Sequence, residues 1–274
     1  MNSATISFAG KAYRANLAVG HDLSIAMDFH GPQPNHFSAA PASAVPMQAG
    51  EFVGDTRSGG SCNAEVLTLT PHCNGTHTEC IGHVTDERLT IAEVALPGLV
   101  PAALVSVVPV PAKHSKETAS PAPEPADRLI TGASLGKAWS ALPAGDYPAL
   151  IVRTLPNPVA KRHRVYTPAH DHPYFSLEAM RMLVACGVQH LLVDTPSVDR
   201  YQDRGRLAGH RVFWGMEKTG RKAPDNDRRH ATITEMIYVD NDLEDGLYLL
   251  NLQVPPFMSD AAPSRPVIYA VEAA

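Results

Sequence analysis

Between His72 and His83 this chain places three histidines, His72, His77 and His83, and one carboxylate, Glu79. Four such groups packed so closely must each be given a partner, and that demand restricts the fold more than anything else in the sequence. Imidazole nitrogen and carboxylate oxygen are together the ligands of a borderline divalent ion such as zinc or manganese. His77 and Glu79 stand two apart, so in an extended segment both side chains leave by the same face. Gly75, ahead of Thr76 and His77, permits a backbone conformation that a side chain would block, or a close approach to ion or substrate. The pattern predicts a hydrolytic metal site.

A chain of 274 residues can bury a full core, and we expect one domain over 1–274. Charge argues about partners. With 23 basic against 28 acidic residues the net charge is −5 and no basic stripe stands out, which speaks against nucleic acid. No apolar run approaches the length of a membrane span, and the first ten residues lack the charged start and apolar core of a signal peptide. Cys62, Cys73, Cys80 and Cys186 form no C-x-x-C pair, so neither a disulfide framework nor a zinc knot is indicated. A reduced, cytoplasmic protein acting on a small molecule is the expectation.

Along the chain, Asp22 to Phe29 reads as a strand, and Val66 to Thr70 as a half-buried strand that delivers the histidine motif. Ala102 to Val110 and Tyr147 to Thr154 read as buried strands, with a short helix within 131–142 between them. Residues 111–127, rich in Pro, Ala and Ser, predict a surface insertion. Ser176 is a good N-cap for a helix from Leu177 to Cys186, which Gly187 is placed to stop. Leu177, Met180, Leu183 and Val184 share one face of that helix. Val188 to Val193 then forms a strand ending at Asp194-Thr-Pro-Ser-Val-Asp199, where α/β sheets commonly carry sites. Ala231 to Val239 and Gly246 to Leu252 read as further strands.

The motif resembles the signature of the cyclase family of metal-dependent hydrolases, among them bacterial kynurenine formamidases and isatin hydrolases. That signature is His-x-Gly-Thr-His-x-Asp-x-Pro-x-His. Gly75, Thr76, His77 and His83 match it, Glu79 replaces the aspartate, Ile81 replaces the proline, and Cys73 stands where the first histidine would be. His72 lies one residue earlier, so either a bulge brings it in or Cys73 ligates. We favour His72, because hydrolytic sites of nitrogen and oxygen ligands rarely mix in a thiolate. The segments Asp194–Asp199 and Ala262-Pro-Ser-Arg265 are also similar to the family.

The resemblance implies an α/β swivelling β/β/α-type single domain with a mixed sheet and flanking helices, usually a homodimer or larger assembly. It further implies one or two divalent ions, zinc or manganese. The first would take His72, His77 and Glu79; the second would take Glu79, His210 and Glu235. His83 would be the general acid/base. His210 and Glu235 fit the family contexts of a helix start and an apolar strand, but lie twenty-five apart, which predicts a loop insertion over 217–229. A carboxylate within an apolar strand favours a role for Glu235. His230 is the rival to His210. Phe37 is a candidate substrate contact, with Phe29, Tyr174, Phe175 and Trp214 as further pocket candidates. His170 and His172 read as turn or substrate-edge residues, and Asp194 and Asp199 as loop-fixing groups. The implied reaction is hydrolysis of an amide, formamide or lactam. A lactone or ester hydrolase, or a non-catalytic metal or small-molecule binding protein, are the alternatives.

Overall fold

The computed structural model describes residues 2–94 and 96–274. One large mixed sheet organises the molecule. Its centre is four parallel strands in the order Val100–Val107, Ala149–Thr154, His190–Val193 and Thr232–Glu235. His77–Glu79 joins antiparallel beside Thr232–Glu235, and Ala261–Pro263 follows it. On the opposite flank Gly246–Gln253 and Arg265–Ala273 continue the sheet antiparallel, ending in the hairpin Ser3–Phe8 and Lys11–Asn16.

The central strands are apolar on both faces, as a covered parallel sheet requires. Side chains alternate between two cores. Ala103, Val105, Leu150, Val152, Leu191 and Ile233 meet the helices Gly132–Trp139, Leu177–Ala185 and Ala208–Phe213 on one side. Ala102, Leu104, Ala149, Ile151 and Leu192 pack on the other against Leu23, Ile237, Val239 and Leu243. Each fully buried branched side chain contributes about 1.5–3 kcal/mol of burial free energy, so this double layer is a rigid platform for what its edge carries. Leu177–Ala185 begins where Ser176 accepts from the Ala179 amide and ends before Gly187, whose φ of 75° is the left-handed stop.

Several expectations need correction. Residues 23–29 are not a strand; only His21–Asp22 pairs, and the rest is tied segment by segment, Leu23 through Pro266 and Tyr238, Ile25 through Thr76. Glu65–Thr68 has no buried face. It pairs with Ser43–Pro46 in a two-stranded ribbon outside the core, leaving Val66 and Leu67 about half exposed. The 111–127 segment is more than an insertion. Glu117 accepts from the Gly132 and Ala133 amides and from the Ser176 hydroxyl, and Thr118 is held by Glu178, so the segment caps two helices at once. The 217–229 stretch is not all surface loop either. Arg228 is buried, its guanidinium 4.3 Å over the Phe213 ring and bonded to the Phe213 and Val188 carbonyls.

Candidate metal centre

The centre grows from the edge where the parallel strands end. Glu235 is the last residue of its strand and lies directly across from His77, while Ile233 lies across from Glu79. Period-two alternation therefore sends His77, Glu79 and Glu235 out of the same face. Thr78 and Thr234 point to the other face and bond to each other at 2.8 Å. Before the strand, a tight turn folds Cys73 and Asn74 amides back onto the Thr70 carbonyl and carries His72 toward Glu79. Gly75 follows at φ 92°, and a Cβ there would meet the Met27 methyl at 2.6 Å, so both conformation and space demand glycine. The Thr76 hydroxyl accepts from the Ile25 amide and donates to the Met236 carbonyl, fastening the motif to the end of the neighbouring strand.

Three imidazoles are oriented alike. His77 donates Nδ1–H to the Gly75 carbonyl at 3.0 Å, His210 donates Nδ1–H to Asp199 at 2.7 Å, and His72 donates Nε2–H to Asp260 at 2.7 Å. Each thereby turns its other nitrogen toward the two buried glutamates, where it offers a lone pair once its proton has left. His72 Nδ1 is 2.9 Å from Glu79 Oε2, and His210 Nε2 is 2.9 Å from Glu79 Oε1. Glu235 approaches His77 Nε2 at 3.5 Å and His210 Nε2 at 3.6 Å. His83 stacks on His72 with ring centroids 4.1 Å apart, its Nδ1 3.3 Å from Asp260 and its Nε2 3.8 Å from Glu79. Despite these short approaches, His77 Nε2 and both Glu79 carboxylate oxygens are buried without a hydrogen bond. Buried polar atoms left this way are costly, and nitrogens and carboxylate oxygens that converge so closely fit a cation in place of the imidazole protons. The anchored second nitrogen is the usual support of a metal-ligating histidine. Ligand atoms of His72, His77 and Glu79, of Glu79, His83 and His210, and of His72, His83 and Asp260 each lie within 4.8 Å of one another. The donor set fits a divalent metal.

The electrostatics follow from crowding carboxylates and imidazoles out of water. Burial alone would raise Glu79, but His83, His210 and His72 outweigh it and hold the carboxyl well below its usual range. Burial would lower His72, yet Asp260 and Glu79 push it up to about 10. His210 is likewise raised against burial by Glu79 and Asp199. Hydrogen bonds from His72 and His83 hold Asp260 far below a normal aspartate.

All six motif and partner residues, His72, His77, Glu79, His83, His210 and Glu235, thus meet in one cluster. His230 does not: it is exposed and lines a separate groove with Arg229 and Glu93. Cys73 faces the cavity beside the cluster but belongs to none of the three ligand groups, and burial raises its thiol. The cavity, about 320 Å³, opens over His72, His83, His210 and Glu235 and is walled by Phe37, Tyr201 and Leu207. Phe37, 62% exposed, stands at its rim. Of the other aromatic candidates, Tyr174, Phe175 and Trp214 are core residues, and Phe29 does not line the cavity. Trp214 instead backs His210 with ring centroids 5.7 Å apart. His172 is buried and donates to the Asp199 carbonyl, which makes it a support of the loop carrying Asp199. Sequence reasoning missed two residues. Asp260 has no local signal beyond standing ahead of the Ala-Pro-Ser-Arg segment, and His36 sits in a polar-apolar loop with no period to mark it.

The family described as "Putative cyclase" matches residues 20–200, well over half of the chain. No curated protein sequence matches. Among solved structures, a predicted metal-dependent hydrolase from Bacillus stearothermophilus superposes with TM-score 0.57 at 14% identity, over 92% of this chain and 98% of that one. Isatin hydrolase A from Labrenzia aggregata, bound to benzyl benzoate, gives 0.56 at 14% over 93% and 94%. Isatin hydrolase A from Ralstonia solanacearum gives 0.55 at 16% over 92% of each chain. At these identities the likeness is one of fold.

Proposed function

This chain belongs to the cyclase family, and on that premise we propose that it is a metal-dependent hydrolase cleaving an amide, formamide or lactam C–N bond of a small substrate. One observation carries the reading: His72, His77 and His210 turn a ring nitrogen toward Glu79 or Glu235 at the base of an open cavity, with buried atoms left unbonded. His72, His77 and Glu79 would hold one ion; Glu79, His210 and Glu235 would hold a second if two bind. When bound, zinc or manganese polarises a carbonyl and brings water's pKa toward neutrality.

The protein's own groups do the rest. Asp199 keeps His210, the Gly75 carbonyl keeps His77, and Asp260 keeps His72 in the tautomer that offers a lone pair. His83 is the mobile proton carrier. Its Nδ1 faces Asp260, leaving Nε2 on the Glu79 side to take a proton from water and return it to the leaving nitrogen. Asp260 stabilises the ring when it carries that charge and fixes its plane. Pro196, Leu207 and Phe37 supply apolar walls suited to a flat ring.

The test is hydrolysis of formanilide and isatin by protein loaded with zinc or with manganese, against protein stripped by chelation. Ion-dependent turnover of either compound is expected. Full metal occupancy with no turnover of amide, lactam, lactone or ester would instead leave a binding protein.

A further inference from the structure

The cavity wall carries a buried imidazole that the chemistry above does not use. His36 is only 6% exposed, yet it lines the cavity with His72, His83 and His210. Aromatic rings meet it edge-on: Tyr201 at 5.0 Å, His172 at 5.2 Å and Tyr166 at 6.2 Å between centroids. Its backbone is fixed from two sides, the amide to the Cys73 carbonyl and the neighbouring Asn35 to Arg164 and Tyr166. After it, Phe37 and Ser38 take φ of 58° and 55°, a left-handed pair that non-glycine residues adopt only where surroundings impose it. Ser38 in turn bonds the Tyr201 hydroxyl at 3.1 Å. The loop is built to hold this imidazole at the cavity wall.

His36 Nδ1 is buried without any hydrogen-bond partner. Orphaned buried N–H groups are rarer than orphaned acceptors, so the proton belongs on Nε2, the nitrogen left to face the cavity. Burial and the neighbouring His172 hold the ring to a single proton against the opposing charge of Asp171. The wall therefore offers a single neutral N–H donor.

Charge around the cavity points the same way. Among the described lining residues Arg200 is the only lysine or arginine, and its guanidinium is already taken by Glu124 at 2.8 Å and Asp127 at 3.4 Å. Asp199, Asp203 and Glu235 add negative charge to the lining. Away from the metal centre, a substrate carboxylate would be desolvated against this wall with no unpaired lysine or arginine to meet it.

We infer that His36 is a specificity-determining residue whose Nε2–H binds a carbonyl oxygen of an uncharged, planar substrate, and that the site selects against substrates carrying a carboxylate. This rests on the hydrolase reading for its kinetic test only. A site built to donate a hydrogen bond loses discrimination when that donor is removed.

The experiment compares isatin and formanilide with N-formylanthranilate on the zinc- or manganese-loaded protein, and isatin binding by calorimetry, for wild type, His36→Phe and His36→Asn. Wild type is expected to favour the uncharged compounds at least tenfold in kcat/KM. His36→Phe keeps the ring shape and the metal content, and is expected to raise KM and Kd for isatin about 10- to 100-fold with kcat within about threefold. His36→Asn, which restores an N–H donor, is expected to recover most of that loss. Wild-type Kd for isatin in His36→Phe, or equal turnover of the anionic compound, overturns the inference. If no compound is hydrolysed the hydrolase reading fails, and the calorimetric ratio still decides the role of His36.

Discussion

Two sets of buried charge sit side by side on the same edge of the sheet, and they are finished differently. Lys161 and Asp194 form a closed set beyond the ends of the Ala149–Thr154 and His190–Val193 strands. Lys161 Nζ donates to Asp194 at 2.6 Å and to the Thr154 carbonyl and hydroxyl at 2.8 Å each, and the Thr154 amide and hydroxyl donate to Asp194 in turn. Burial pulls Lys161 down and Asp194 up, but every donor and acceptor is matched. One strand further along, Glu79 and Glu235 are buried against imidazole nitrogens, with both Glu79 oxygens and His77 Nε2 left unbonded. A buried pair that balances itself is structure; a buried group short of positive charge is built for something that brings it.

Breaking the open set should have the largest effect. His77→Ala removes a central lone pair, and bound metal and turnover should disappear together, read by elemental analysis and by hydrolysis of isatin or formanilide. Wild-type metal content in that variant would separate the cluster from metal binding. His83→Ala should keep the ion while turnover falls by roughly two to four orders of magnitude, the usual contribution of a positioned acid/base. Because His83 also shares a ligand group with Glu79 and His210, loss of metal in this variant would instead make it a ligand.

The closed set should respond in stability rather than chemistry. Asp194→Ala strands the Lys161 ammonium and should cost about 3–5 kcal/mol in urea unfolding, while the pair of apolar replacements, Lys161→Met with Asp194→Leu, should cost far less. An equal cost for single and double changes would mean that the network does more than neutralise itself.

Proton linkage sharpens the contrast further. His72, raised to about 10 by Asp260 and Glu79, is protonated at neutral pH before an ion binds. A ligand must be neutral, so ion binding should release its proton, and apparent affinity should rise about tenfold per pH unit for that proton until the pH reaches the raised pKa. The sign is fixed: acid weakens binding. Calorimetry in buffers of different ionisation enthalpy measures the protons released. The smallest effect is expected beside the cluster, where Cys73→Ser should leave metal affinity within about twofold while His72→Ala lowers it at least tenfold. A reversed order would exchange their roles.

Much of this was legible along the chain. The helix Leu177–Ala185 announced itself by its cap, its apolar face and Gly187, all signals carried within a dozen residues. The buried strands Val100–Val107 and Ala149–Thr154 were equally plain as apolar runs. Local patterns failed where a segment's conformation is set by distant partners. Residues 23–29 look like a strand but are stitched to Pro266, Tyr238 and Thr76 one bond at a time, and Val66 and Leu67 look half-buried but lie in a ribbon with no core beneath it.

The sequence by itself determined the donor chemistry: three imidazoles and a carboxylate within His72–His83, at a spacing that an extended strand turns into one face. Only the tertiary structure decided which remote groups complete it. Asp260 reaches His72 and His83 across 188 and 177 residues, Asp199 orients His210, and His36 arrives on a loop held by Cys73 and Tyr166. The reason is physical. Side-chain periodicity is a property of neighbouring residues, whereas the convergence of lone pairs is a property of strand order and register, which emerge only when the whole sheet is assembled.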